Sequence, residues 1–226
     1  MASSILTYLA ALESNNNREW YQAHKADFQQ ANSEFEGLIQ SLIFELGKNE
    51  PNILMHEPKD LTFRLVRDTR YSHDKSPYNP TFRCHISSAG KLPIPVGYYL
   101  SIRPGNRSFF GGGLFADMFK EATNMIRMHI NTHAEEFKQI ITEPAFQQNF
   151  EVRGESLHNV PKEFCKDHPL ADFLKFKSWY IEYSVSDDSI DHSQNFISMA
   201  VEKYLLMKPF NDFLNDALHG FTMPQR

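Results

Sequence analysis

The chain has 226 residues, is 41% hydrophobic and 23% charged, and carries a formal net charge of −5. That length suits one large domain with a core of its own. The acidic balance argues against a general nucleic-acid binder, which shows a basic stripe. No run of about 18 apolar residues exists, which excludes a membrane-spanning helix. The start, Met1-Ala2-Ser3-Ser4-Ile5-Leu6, lacks the basic region and long apolar stretch of a signal peptide. Two cysteines far apart, Cys84 and Cys165, read as core residues of a reduced, cytoplasmic protein. Neither has a CxxC partner, so a zinc ribbon is excluded.

In chain order, residues 4–13 read as a short helix capped by Ser4, with Ile5, Leu6, Leu9 and Leu12 on one side. Asn16 or Asn17 caps a long helix over residues 18–48. Its stripe is Trp20, His24, Phe28, Ala31, Phe35, Leu38, Leu42 and Leu46, at spacings of three and four. Gly47 and Pro51 end it. Residues 61–68 alternate as a strand, with Leu61, Phe63 and Leu65 on one face and Thr62, Arg64 and Val66 on the other. Further strands are expected over 81–87, 96–103 and 108–110, with Gly105-Asn106 as a hairpin turn between the last two. Gly111-Gly112-Gly113 closes this block. Helices over 117–133 and 134–142 follow, then a strand over 177–185. A helical tail over 187–218 is interrupted at Pro209. The order of helices, then strands, then helices predicts one α+β domain over residues 1–226. Its central, mostly antiparallel sheet has helices N-terminal and C-terminal to it. Nineteen phenylalanines, with Trp20 and Trp179, predict a core built on aromatic packing.

The most polar and least periodic segment is Phe63 to Tyr78. It holds Arg64, Arg67, Arg70, Lys75, His73, Asp68 and Asp74. Arginine offers a planar fork of donors that matches carboxylate or phosphate oxygens in pairs. Strand alternation puts Arg64 with Val66 and Asp68, and Arg67 on the opposite face. Arg70 and Lys75 fall in the following loop, where binding residues gather. Two readings stand side by side. One is a pocket for an anion, with Arg64, Arg67, Arg70 and Lys75 as ligand-binding groups. The other is a salt-bridge network with Asp68, Asp74 and Glu19. From Lys59 to Lys75 the chain has five basic and three acidic side chains, a net of +2.

These residues also carry a resemblance. Asn16-Asn17-Arg18-Glu19-Trp20-Tyr21 with His24-Lys25, Phe63-Arg64, Arg67-Asp68-Thr69-Arg70-Tyr71-Ser72 and Asp74-Lys75-Ser76-Pro77-Tyr78 resemble the domain-of-unknown-function family 2461. So do Gly97-Tyr98-Tyr99, Pro104-Gly105, Gly111-Gly112-Gly113, Pro161, Asp167-His168-Pro169 and Lys208-Pro209-Phe210. The family comprises uncharacterised bacterial and fungal proteins, so the resemblance implies no established activity. His73 and Asn79 stand where the family pattern has lysine, and both lower the positive charge of the segment.

Other features are weighed in the same way. Trp20 and His24 share a helix face. His24 is a general-base candidate near neutral pH, or a buried histidine bonded to a backbone carbonyl. Asp68 and Asp74 are the other acid–base candidates. Gly111-Gly112-Gly113 before a helix suggests phosphate-cradling N–H groups, or a bulge or tight turn. It lacks the lysine and serine or threonine of a P-loop. His129 and His133 lie four apart without an obvious third metal ligand. Asp187, Asp188, Asp191 and His192 read as the charge-matched start of the last helix. No metal or cofactor is assigned. The expectation is an anionic small molecule as partner, bound by an enzyme or by a non-catalytic interaction domain. Oligomeric state is left open.

Overall fold

The computed structural model describes residues 3–191 and 193–224. The reading of Met1-Ala2 as part of a chain without a leader, and that of His192 in the acidic cluster, lie outside the described residues. About half of the chain is helical, and four strands form one antiparallel sheet, so the fold is α+β.

The first helix, α1 (Ser4–Ser14), is capped by Ser3, whose hydroxyl accepts from the Ile5 N–H. Ile5, Leu9 and Leu12 are fully buried, as their spacing predicts. The single helix expected over 18–48 is two helices, α2 (Arg18–Ala23) and α3 (Lys25–Gly47). His24 breaks them with φ −108° and ψ 30°. Trp20, His24 and Phe28 keep four-residue spacing across the break, so periodicity cannot register it. Asn17 caps α2 by accepting from the Trp20 N–H. The buried face of α3 is Ala31, Phe35, Ile39, Leu42, Ile43 and Leu46. A 3₁₀ turn (Pro51–Met55) and α4 (Pro58–Leu61), whose Glu57 and Asp60 form a capping box, follow.

The sheet runs β1 (Phe82–Ile86), β2 (Tyr98–Ile102), β3 (Ser108–Leu114) and β4 (Trp179–Val185), paired in that order. Of the strand expected over 61–68, Leu61 ends α4, and the rest makes only two isolated antiparallel bridges, Thr62 to Cys84 and Val66 to Tyr78. Its partner segment contains Pro77 and Pro80, which have no N–H to complete a ladder. The Gly105-Asn106 turn forms as expected, with φ of 83° and 57°. The Asp187 carboxylate accepts from both of its N–H groups at 2.8 and 3.0 Å.

The glycine triplet lies inside β3 rather than ending the strands, and α5 begins seven residues later at Lys120, so no phosphate cradle forms there. It is needed for close approach. A Cβ on Gly113, at φ +91°, would sit 2.3 Å from the Trp179 carbonyl oxygen. Asn211 fixes this stretch, accepting from the Gly113 N–H at 2.7 Å and donating to the Gly97 carbonyl at 3.0 Å. The remaining helices are α5 (Lys120–Thr132), α6 (Ala134–Thr142), α7 (Pro144–Asn149), α8 (Ala171–Leu174), α9 (Asp187–Asp191) and α10 (Ser193–Ala217). The expected interruption at Pro209 does not occur. Proline costs one helix hydrogen bond, and buried Met207, Phe210, Phe213 and Leu214 hold the helix through it.

Two compact units divide the chain. The first takes the chain up to Lys91, with Tyr99–Phe110 and Ser184–Glu202. Its core joins the α1 and α3 faces to Phe82, Cys84 and Ile86, with Phe35 stacked on Phe82 at 5.0 Å. The second takes Leu92–Tyr98, Gly111–Tyr183 and the chain from Lys203 on. There Phe137 meets Phe173 and Phe213 at 5.3 and 5.1 Å, and the Trp179 indole donates to the Phe173 carbonyl at 3.0 Å. The aromatic core expected from composition is present in both units.

Candidate functional site

Leu61 closes α4, and the strip from Phe63 to Asp68 keeps a two-residue alternation although it is not a strand. Leu61 and Leu65 are buried and Phe63 and Arg67 half-buried, while Arg64, Val66 and Asp68 are exposed. Arg67 therefore takes an inward position, opposite to Arg64.

Two backbone bonds, Arg67 N–H to Pro77 C=O at 2.9 Å and Asn79 N–H to Leu65 C=O at 2.7 Å, bracket the Val66–Tyr78 bridge. That register turns the N–H and C=O of Tyr78 away from the strip. Asn16, in the turn between α1 and α2, takes both. Its Nδ2 donates to the Tyr78 carbonyl at 2.8 Å, and its Oδ1 accepts from the Tyr78 N–H at 3.1 Å. The Tyr21 ring stacks on Tyr78 at 4.2 Å.

This docking leaves a polar cleft of about 400 Å³, within the first compact unit. It is lined by Arg67 and Arg103, Glu13 and Asp74, Ser76 and Asn79, together with Asn16, Tyr78 and Pro80. Arg67 pairs through Nη1 with Asp74 Oδ2. Asp74 Oδ1 accepts from the Ser76 hydroxyl at 2.6 Å and the Ser76 N–H at 2.9 Å. The Ser76 hydroxyl first, and then Arg67, hold the Asp74 carboxyl well below the usual carboxylate range. Asp74 is thus an anion and an acceptor at neutral pH. Glu13 is shared: Oε1 accepts from Arg103 at 3.0 Å and Oε2 from Arg107 at 2.5 Å. Those two guanidinium groups, Arg107 foremost, lower the Glu13 carboxyl. The Nε of Arg103 is shut from solvent and has no hydrogen-bond partner.

The other sequence candidates lie outside the cleft lining. Arg70 grips Asp68 with two nitrogens, Nε at 2.9 Å and Nη2 at 2.6 Å, and Asp68 is lowered by that bond. The Lys75 ammonium donates to the Thr69 carbonyl at 2.9 Å. Arg64 is exposed. Of the four basic candidates, only Arg67 reaches the cleft, and of the acid–base candidates only Asp74. The His24 ring lies on Trp20 at 4.1 Å, and its Nδ1 is 2.8 Å from the Trp20 carbonyl. A carbonyl only accepts, so that nitrogen carries a proton. Cys84 is buried, and burial pushes its thiol up to about 12, so it is no nucleophile near neutral pH. Cys165, expected in the core, is exposed.

Sequence reasoning missed Glu13, Asn16 as a docking group, Ser76, Asn79 and Arg103. Asn16 and Ser76 do stand in the stretches that carry the family resemblance, and Arg103 adjoins Pro104-Gly105.

A family model described as conserved hypothetical protein, DUF2461, matches residues 4–213. The chain belongs to this family. The DUF2461 match covers every residue of the cleft lining. No curated protein and no solved structure matches the chain. No helix among the described residues is long and apolar enough to cross a membrane.

Proposed function

We propose that this DUF2461 protein binds an anionic small molecule, bearing phosphate or carboxylate, in the cleft between Arg67 and Arg103. The observation that carries the reading is that each carboxylate facing a cleft arginine has a second anchor. Asp74 keeps the Ser76 N–H and hydroxyl when Arg67 turns to a ligand. Glu13 keeps Arg107 when Arg103 does. A guanidinium–carboxylate pair can then open without leaving a bare charge, and that bare charge is what makes most such exchanges costly. A ligand with hydroxyl or amino donors beside its acid group fits best, because those donors meet the freed carboxylate oxygens. Arg67 and Arg103 are the binding groups in this reading. Asp74 accepts from the ligand and does not protonate it. Arg70, Lys75, Asp68 and His24 support the loop and helix around the cleft, and Arg64 faces solvent.

A second reading has its own support. Arg70–Asp68 and Arg67–Asp74 are both closed pairs, as in a non-catalytic interaction domain whose arginines hold its loops. Thermal shift with inorganic phosphate, glycerol phosphate and malate, at matched ionic strength, separates the two. Under the binding reading, a ligand at about 100 times its Kd adds roughly 2.7 kcal/mol. That gain disappears in Arg67→Gln and in Arg103→Gln. A flat response to all three compounds, with Arg67→Gln lowering the melting temperature, supports the salt-bridge reading and overturns the binding one.

A further inference from the structure

The charge balance of the cleft narrows its ligand further, given the anion-binding reading proposed above. The lining holds two guanidinium groups, Arg67 and Arg103, and two carboxylates, Glu13 and Asp74, so its formal charges cancel. All four belong to the first compact unit. An acid group that takes Arg67 leaves Asp74 in place beside it. Ser76 stays on Asp74 Oδ1 and keeps that carboxylate an anion. Asp74 Oδ2 has Arg67 as its one partner among the described residues, and the exchange bares it. A bare carboxylate oxygen next to an incoming acid group repels it, and a half-enclosed cleft screens that repulsion poorly. A hydroxyl on the ligand would return a hydrogen bond to Oδ2 but no charge. An ammonium returns both.

The Arg103 wall differs. Arg103 reaches Glu13 through Nη2 alone, at 3.0 Å, and its Nε has no hydrogen-bond partner. A guanidinium has five N–H donors, so Arg103 has capacity left for an acid group without releasing Glu13. Glu13 in turn keeps Arg107 on Oε2. The Arg67 wall therefore asks for an acid group and an ammonium side by side, as they stand on one α-carbon. The Arg103 wall asks for a second acid group with no cation attached. The cleft volume of about 400 Å³ lies at the small end of ligand pockets, which suits a molecule of amino-acid size. We propose that the ligand is an acidic α-amino acid, with its ammonium on Asp74, its α-carboxylate on Arg67 and its side-chain acid on Arg103. Its net negative charge agrees with the anion reading, and its ammonium replaces the charge that Arg67 withdraws from Asp74.

The test is calorimetric titration of the full chain at neutral pH and matched ionic strength. The probes are L-aspartate and L-glutamate, the matching acids with a hydroxyl or a hydrogen in place of the ammonium, L-alanine, and inorganic phosphate. Aspartate or glutamate should bind about tenfold or more tightly than its hydroxy and deamino counterparts, the weight of one hydrogen bond between charged groups. Asp74→Asn, checked for folding by its urea midpoint, should bring that ratio close to one. Alanine lacks the side-chain acid and should bind about tenfold or more weakly than the acidic amino acid, a gap that Arg103→Gln should close. The wild-type ligand series decides the matter even where a variant is unstable. A hydroxy acid that binds as tightly as its amino acid overturns the amino-acid assignment and leaves the anion cleft standing. So does an ammonium preference that survives in Asp74→Asn. A wild type that binds none of the acids, phosphate included, overturns both.

Discussion

Asn16→Ala is the sharpest probe of how the cleft is built. The Asn16 amide makes two hydrogen bonds to one residue, at 2.8 and 3.1 Å, and both fall on the backbone of Tyr78. Tyr78 is only 6% exposed, so water does not easily replace both partners. At about 1 kcal/mol net per bond, the loss is about 2 kcal/mol. For a chain of this size each kcal/mol moves the melting temperature by about 2–4 °C, so a drop of about 4–8 °C is expected. The neighbouring Asn15 is a matched control, because its side chain bonds only locally, to the Ala11 carbonyl at an exposed position. Asn15→Ala should cost less than about 0.5 kcal/mol. Urea unfolding monitored by tryptophan fluorescence gives both values. The reasoning fails if Asn16→Ala costs no more than Asn15→Ala, since the two bonds to Tyr78 would then add nothing net.

Two further outcomes follow from the same structure. Gly113→Ala must seat a Cβ 2.3 Å from the Trp179 carbonyl oxygen and 2.9 Å from the Tyr180 Cα, at φ +91°. It should cost more than about 4 kcal/mol and yield mostly insoluble protein, and soluble expression with a near-wild-type midpoint would contradict this. The pH dependence follows from Glu13, Asp68 and Asp74, all held below their usual carboxylate values. Groups of this kind add stability above their unfolded pKa of about 4, and lose it as pH falls through the lower folded values. These three carboxylates should make the urea midpoint fall as the pH drops below about 4. Asp74→Asn should make that fall shallower, and an unchanged acid limb would contradict the assignment.

The resemblance recognised in the sequence is matched by the family model over residues 4–213. The fold class was legible because it rests on local patterns. The α1 spacing, the Asn17 cap, the hairpin at Gly105-Asn106 and the alternation in β4 each follow from neighbours within about one turn or one strand pair. Alternation along Phe63 to Asp68 also showed that Arg64 and Arg67 face opposite ways. The same patterns failed where the cause was distant. The His24 break leaves the periodicity intact. The 63–68 strip lacks a ladder because its partner segment carries Pro77 and Pro80. The helix survives Pro209 because buried side chains around it outweigh one lost bond.

The cluster of Arg64, Arg67, Arg70 and Lys75 reads from sequence as one charged unit. In space Arg70 closes on Asp68 and Lys75 on the Thr69 carbonyl, while Arg67 joins Arg103, 36 residues further along the chain. Residue type alone determined that strong donors and carboxylates occur here, and alternation determined which way each donor leaves the backbone. Arg70 pairs with Asp68 two residues away and Arg67 with Asp74 seven away, within the segment itself. Only tertiary structure brought Glu13 to Arg103 and Arg107, across 90 and 94 residues. Charge pairing depends on distances of a few ångströms, and sequence separation carries no information about such distances once the chain has turned back on itself.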